Sequence, residues 1–156
     1  VALAAVVWGL AACEEGPTEL VFEVIETATF HDSLYIVLAD FTEFSSGVYI
    51  RDDSVGTGPV IAVGDTAIVN YSAWLRTGAL IASGTIIPAP PAPPVYVYGV
   101  TNLIQGITLG MAGMAEGGTR VLLIPPALGY GASPPFGSPI PQGAILVFEV
   151  DVLDVY

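Results

Sequence analysis

Side chains able to do chemistry are scarce in these 156 residues. There is one cysteine, Cys13, and one histidine, His31. They cannot form an internal disulfide or anchor a metal cluster, so no metal site is expected. As a nucleophile and its base they would lack an orienting group and an oxyanion site. The stretch from Gly117 to Gly131, Gly-Gly-Thr-Arg-Val-Leu-Leu-Ile-Pro-Pro-Ala-Leu-Gly-Tyr-Gly, is more informative. Its end, Gly129-Tyr130-Gly131, sets one phenol between two permissive residues on a loop. A phenol over an apolar interior can pack and hydrogen-bond. That implies a binding site without naming the ligand.

Positioning the loop falls to Val121 to Ile124, an unbroken apolar run that reads as a strand buried on both faces. Pro125 and Pro126 end it, because neither can donate to a ladder. Ala67 to Leu75 reads as a second strand, with Tyr71, Ala73 and Leu75 on one face and Ile68, Asn70, Ser72 and Trp74 on the other. Beyond the turn Thr77-Gly78, residues Ala79 to Ile87 could pair back. Val48 to Arg51 and Val95 to Gly99 are further short strands. Ala144 to Val155 alternates, with Leu146, Phe148, Val150 and Val152 inward and Glu149, Asp151 and Asp154 on the wetter side. Asn102 to Met114 has near-helical spacing. Gly106, Gly110 and Gly113 each cost roughly 1 kcal/mol against alanine, so only a short helix held by packing is expected. Its methionines read as core filler. The sum is an α+β domain on an antiparallel β-sheet of five to six strands with one short α-helix.

Other segments are less decided. Leu20 to Ile25 fits a strand or a short amphipathic helix equally well. Asp32 or Ser33 could cap a helix, with His31 as a surface or capping residue. Phe30 to Phe44 carries enough apolar side chains to pack onto a neighbour. Whether residues 19 to 53 dimerise or merely pad the sheet stays open. Residues 88–94 hold five prolines in seven and must form an extended surface loop. Residues 133–141 are a second proline-rich loop.

Hydrophobic residues make up 53% and charged ones 12%, which suits one ordered, strand-rich domain. Net charge is −12 with no lysine, so phosphate backbones would be repelled and nucleic-acid binding is not expected. Ten of the fifteen acids lie between Glu14 and Asp53. They read as a solvated leader and surface, with a cation-binding patch as the alternative.

Residues 1–12 are uncharged and end in small residues, as in the apolar core and cleavage region of a signal peptide truncated at its start. Leu10-Ala11-Ala12-Cys13 then resembles the lipobox of bacterial lipoproteins. That resemblance implies diacylation of Cys13, with 13–19 as the lipidated N-terminus and spacer. It also implies a bacterial cell-envelope location facing the periplasm or exterior. Each buried acyl CH₂ contributes roughly 0.8 kcal/mol, so two chains make a lasting tether.

A second resemblance rests on six pieces. They are Gly64-Asp65 before Val69-Asn70-Tyr71, Gly99 to Gly106, Met114 with Gly117, Ile124-Pro125-Pro126, Tyr130-Gly131-Ala132, and Leu146-Val147-Phe148-Glu149-Val150. Together they resemble the FKBP-type peptidyl-prolyl cis-trans isomerases from about Val48 onward. The resemblance implies a twisted sheet wrapped on the helix, over 56–156, with 20–55 as an N-terminal extension. It implies a prolyl pocket in which Tyr71, Ile104, Tyr130 and Phe148 carry the reaction. The Ile104 N–H and the Tyr130 hydroxyl would bind the peptide's carbonyls. Ile81, Tyr96, Leu103, Ile107 and Ile140 would complete substrate binding. Proline-containing polypeptides are the implied partners; a monomer with no cofactor is expected. The chain departs from the family pattern at Ile81-Ala82-Ser83, where Phe-Asp-Ser is usual, and at Ile107, where a tryptophan is usual. Asn102 and Pro94 are further departures. Reduced activity is therefore expected, with a preference for apolar residues before proline. A chaperone-like peptide binder and a purely structural lipoprotein are the alternatives.

Overall fold

The computed structural model describes residues 20–44, 47–62, 64–86 and 103–156. The stretch 1–12 expected to be a signal peptide, Cys13, the run 88–94, the strand expected at Val95–Gly99, Tyr96 and Asn102 lie outside the described residues. Among the described residues six strands form: β1 (Thr42–Glu43), β2 (Tyr49–Ser54), β3 (Ala67–Leu75), β4 (Leu80–Ile86), β5 (Thr119–Ile124) and β6 (Leu146–Val155). The α-helix found among them, α1 (Gln105–Gly110), precedes β5. The sheet runs β1-β2-β5-β6-β3-β4, with every neighbouring pair antiparallel. This is the α+β arrangement expected, with six strands.

The central strands explain the unbroken apolar run. Leu122 and Ile124 of β5 join Leu146, Phe148 and Val150 of β6 in the core under α1. Val121 and Leu123, pointing the opposite way, join Ile145 and Val147 in a second core. Leu122, Leu123 and Ile124 are fully buried, each contributing about 1.5–3 kcal/mol over leaving it exposed.

The helix glycines also find their reason. A Cβ on Gly106 would collide with Ile124, and one on Gly110 would lie 2.7 Å from Leu122. Close approach of α1 to β5 thus requires residues that weaken the helix by themselves. Arg120 holds the far end. This buried side chain donates to the carbonyls of Gly110 (2.8 Å) and Ala112 (3.0 Å), and forks onto Asp52 at 2.6 and 3.1 Å. The guanidinium satisfies carbonyls at the negative end of the helix and anchors them to β2.

Residues 25–41 and Tyr49 pad the outer face. Ile25 and Phe41 are buried there, with Phe30, Leu34, Ile36, Leu38 and Tyr49 packed against the second core. These contacts within the chain are of the padding kind, and they leave the question of dimerisation where the sequence left it. Leu20 to Ile25 is neither strand nor amphipathic helix. Its backbone is caught by single bonds such as Glu23 N–H to the Gly143 carbonyl, not by a ladder, and only Ile25–Thr27 turns, as a 3₁₀ helix. Of the capping candidates the sequence offered, it is His31 and not Asp32 or Ser33 that caps the turn, its ring accepting from the Ser33 N–H at 3.2 Å. That turn covers only Asp32–Leu34, because Tyr35 adopts a left-handed φ of 49°.

Candidate active site

Between α1, the inner face of the sheet and the β5–β6 loop lies a cavity of about 390 Å³. Its floor follows from strand alternation. Tyr71 on β3 and Phe148 on β6 share the inner face, and their rings stack with centroids 6.4 Å apart and planes 30° from parallel. Such offset contact holds both rings in place beyond simple burial. Ile81 from β4 forms one wall, and Leu103, Ile104 and Ile107 form the helix side. Ile104 is extended (φ −58°, ψ 140°) at the start of α1, where N–H groups lack intrahelical acceptors.

Tyr130 reaches the cavity from the opposite side. Pro125 stops β5, and Pro126–Leu128 makes one 3₁₀ turn. The Gly131 N–H then returns to the Pro126 carbonyl at 2.9 Å, with φ +53° at Gly131. Non-glycine residues rarely adopt that conformation, so the glycine after Tyr130 is a backbone requirement. Past this turn the loop brings Pro135, Ser138, Pro139 and Ile140 to the rim.

Eight of the nine pocket residues named from the sequence line this one cavity: Tyr71, Ile81, Leu103, Ile104, Ile107, Tyr130, Ile140 and Phe148. The ninth, Tyr96, is outside the described residues. The structure adds Val69, Ala73 and Val150, which share the face of Tyr71 and Phe148 two residues away; period-two alternation was the available signal. It also adds Met111, which is both core filler and cavity lining. Ser138 carried no sequence signal. Its hydroxyl is buried without a hydrogen-bond partner among the described residues.

Among the described residues the lining holds no carboxylate, amine, guanidinium, imidazole or thiol. The arginines are engaged elsewhere: Arg51 with Asp53 at 2.6 Å, Arg76 with Glu23 at 2.5 Å, and Arg120 with Asp52 at 2.6 Å. The cavity can exclude water, enclose an apolar ring and offer a phenol. It has no described acid–base pair to move a proton.

A family model described as FKBP-type peptidyl-prolyl cis-trans isomerase matches residues 58–153. The chain is 38% identical over 110 residues to an FK506-binding protein of Neisseria meningitidis serogroup B, covering 70% of this chain and 97% of that one. It is 36% identical over 117 residues to the 46 kDa FK506-binding nuclear protein of Spodoptera frugiperda, covering 72% of this chain but 26% of that longer one. Among solved structures, a peptidyl-prolyl cis-trans isomerase from Pseudomonas syringae aligns with a TM-score of 0.62 at 25% identity, over 74% of this chain and 80% of that one. FkpA from Escherichia coli aligns with a TM-score of 0.60 at 27% identity, over 80% of this chain and 55% of that one.

Proposed function

Because the chain belongs to the FKBP-type peptidyl-prolyl cis-trans isomerases, we propose that it works tethered to the bacterial cell envelope, assisting the folding of exported proteins. The catalytic part rests on one observation: a cavity without a described charge, roofed by Tyr130 and floored by Tyr71 and Phe148. Rotation about an X–Pro bond needs no nucleophile. The barrier is lost amide resonance, about 18–20 kcal/mol. The planar amide is the more polar state, so a dry apolar cavity favours the twisted one, which is differential binding of the transition state. Tyr130 and the Ile104 N–H would hold the flanking carbonyls while the bond turns. Ile107 keeps its part of the wall apolar but offers less area than an indole. Ala82 brings no carboxylate. Activity below that of relatives with both groups is the consequence.

The tether is supported by Leu10-Ala11-Ala12-Cys13 and the acidic segment Glu14-Glu15 behind it. Acylated there, the chain would face the periplasm or exterior and meet proline-containing polypeptides during their folding. Proline-limited refolding with the detergent-solubilised full chain tests the enzyme, and membrane fractionation of wild type against Cys13→Ser tests the tether. Acceleration of refolding and release of the serine variant are expected. No acceleration at micromolar protein refutes the folding role, and a serine variant still in the membrane refutes the anchor.

Ala82 and Ile107 also favour a second reading, a peptide-binding chaperone with weakened catalysis. Peptide binding without turnover would select it.

A further inference from the structure

The β5–β6 loop that frames the cavity is closed at its base by one backbone bond, Gly143 N–H to the Gly131 carbonyl at 2.8 Å. A residue far away in sequence holds that base. The Glu23 N–H donates to the Gly143 carbonyl at 2.9 Å. One carboxylate oxygen accepts from the Ile145 N–H at 2.7 Å, and the other from Arg76 Nε at 2.5 Å. Arg76, in the turn after β3, also donates to the Thr29 carbonyl at 3.2 Å, and its own carbonyl accepts from His31 N–H at 2.8 Å. The fit is tight. Gly143 has φ +70°, and a Cβ there would lie 2.9 Å from Phe22 Cδ1.

We propose that Glu23 is a positioning residue for the isomerisation, clamping the loop 131–143 so that Pro139 and Ile140 meet the substrate in register with Tyr130 and Phe148. Residues before the matched domain would then form part of the active-site apparatus. The ion pair alone cannot carry this, because both side chains are about one-third exposed (29% and 35%), and solvent screens such pairs. The bond to Ile145 can. That residue is fully buried, it lies three positions before Phe148, and its N–H would be left without an acceptor if the carboxylate were removed. Position therefore matters more than charge.

The rate readout rests on the isomerase reading; the exchange readout does not. In the full chain, kcat and KM for a proline peptide and amide hydrogen exchange over 131–145 would be measured for four forms: wild type, Glu23→Ala, Glu23→Gln and Glu23→Asp. Glutamine keeps the length and an oxygen for Ile145, so near wild-type behaviour is expected. Aspartate keeps the charge but withdraws it by one methylene. Alanine and aspartate are expected to lower kcat/KM, by up to about tenfold for alanine and chiefly through KM. Both should speed exchange at 131–145 while the β3–β4 hairpin stays protected. Should alanine not fold, aspartate against glutamine decides. Unchanged exchange in the aspartate variant overturns the proposal, as does faster exchange with wild-type kcat and KM. If the wild type lacks turnover, the affinity of the same peptide replaces KM, so failure of the enzyme reading and failure of the clamp remain distinct.

Discussion

The sheet's two faces are covered by different means, and the difference separates reactivity from support. On the inner face a six-residue helix touches β5 closely, through Gly106 and Gly110, and leaves the ground before β3 and β4 open as a cavity. On the outer face an irregular chain, residues 25–41, fills the space with Ile25, Phe30 and Phe41. Glu149 and Tyr49, both on this outer side, have shifted proton affinities. Glu149 lies above the usual carboxylate range because of burial and nearby Asp151. Tyr49 is pushed up to about 12, chiefly by its hydrogen bond to Glu26. Regular helix creates the hollow, and irregular chain removes one. A short rigid rod cannot cover a twisted sheet, whereas a chain that bends every few residues can follow it.

The largest test of this division compares two phenylalanines. Phe148→Ala and Phe41→Ala each remove a buried ring, and each should cost about 3–5 kcal/mol in urea unfolding. Only the first strips a cavity wall, so only the first should abolish isomerisation in the protein that remains folded. Loss of kcat/KM in folded Phe41→Ala would erase the distinction.

Next comes Tyr130→Phe, which keeps the ring and removes one hydrogen bond to substrate. We expect roughly a fivefold fall in kcat/KM, equivalent to about 1 kcal/mol, with an unchanged Tm. Wild-type kinetics would take the phenol out of the mechanism. Ser138→Ala should act in the opposite sense on stability. Removing a buried hydroxyl with no partner among the described residues is expected to raise unfolding free energy by about 1 kcal/mol, and a drop would show that the hydroxyl has a partner.

The smallest effect is pH-dependent and confined to the outer face. Tyr49 rises from 10.0 to about 12 in the folded chain. The folded form keeps its proton longer, so this stabilisation is complete below pH 10 and fades as pH climbs toward 12. Glu26 is lowered from 4.5 by the same bond, so its share is present above that value and fades as pH falls. Tyr49→Phe should flatten both declines in thermal unfolding. Persistence of the alkaline decline in that variant would assign it to other groups.

Alternation and run length, which are local properties, were enough to read β3, β5 and β6, the short helix and the inward set around Tyr71 and Phe148. The family motifs were likewise visible in order and spacing. Local pattern could not reveal that Glu23 meets Ile145 across 122 positions, or that Leu20 to Ile25 stays without a ladder. Nor could it mark Ser138, whose hydroxyl is defined only by what surrounds it.

Which residues are apolar, and with what period, is a property of the chain, and it determined the sheet, the helix and the greasy inward face. Where the hollow lies was decided only in three dimensions. Gly106 and Gly110 let the helix down onto β5, and Arg120 and Glu23 fix the helix end and the loop base through partners distant in sequence. Periodicity records which way a side chain points; only packing determines what it meets.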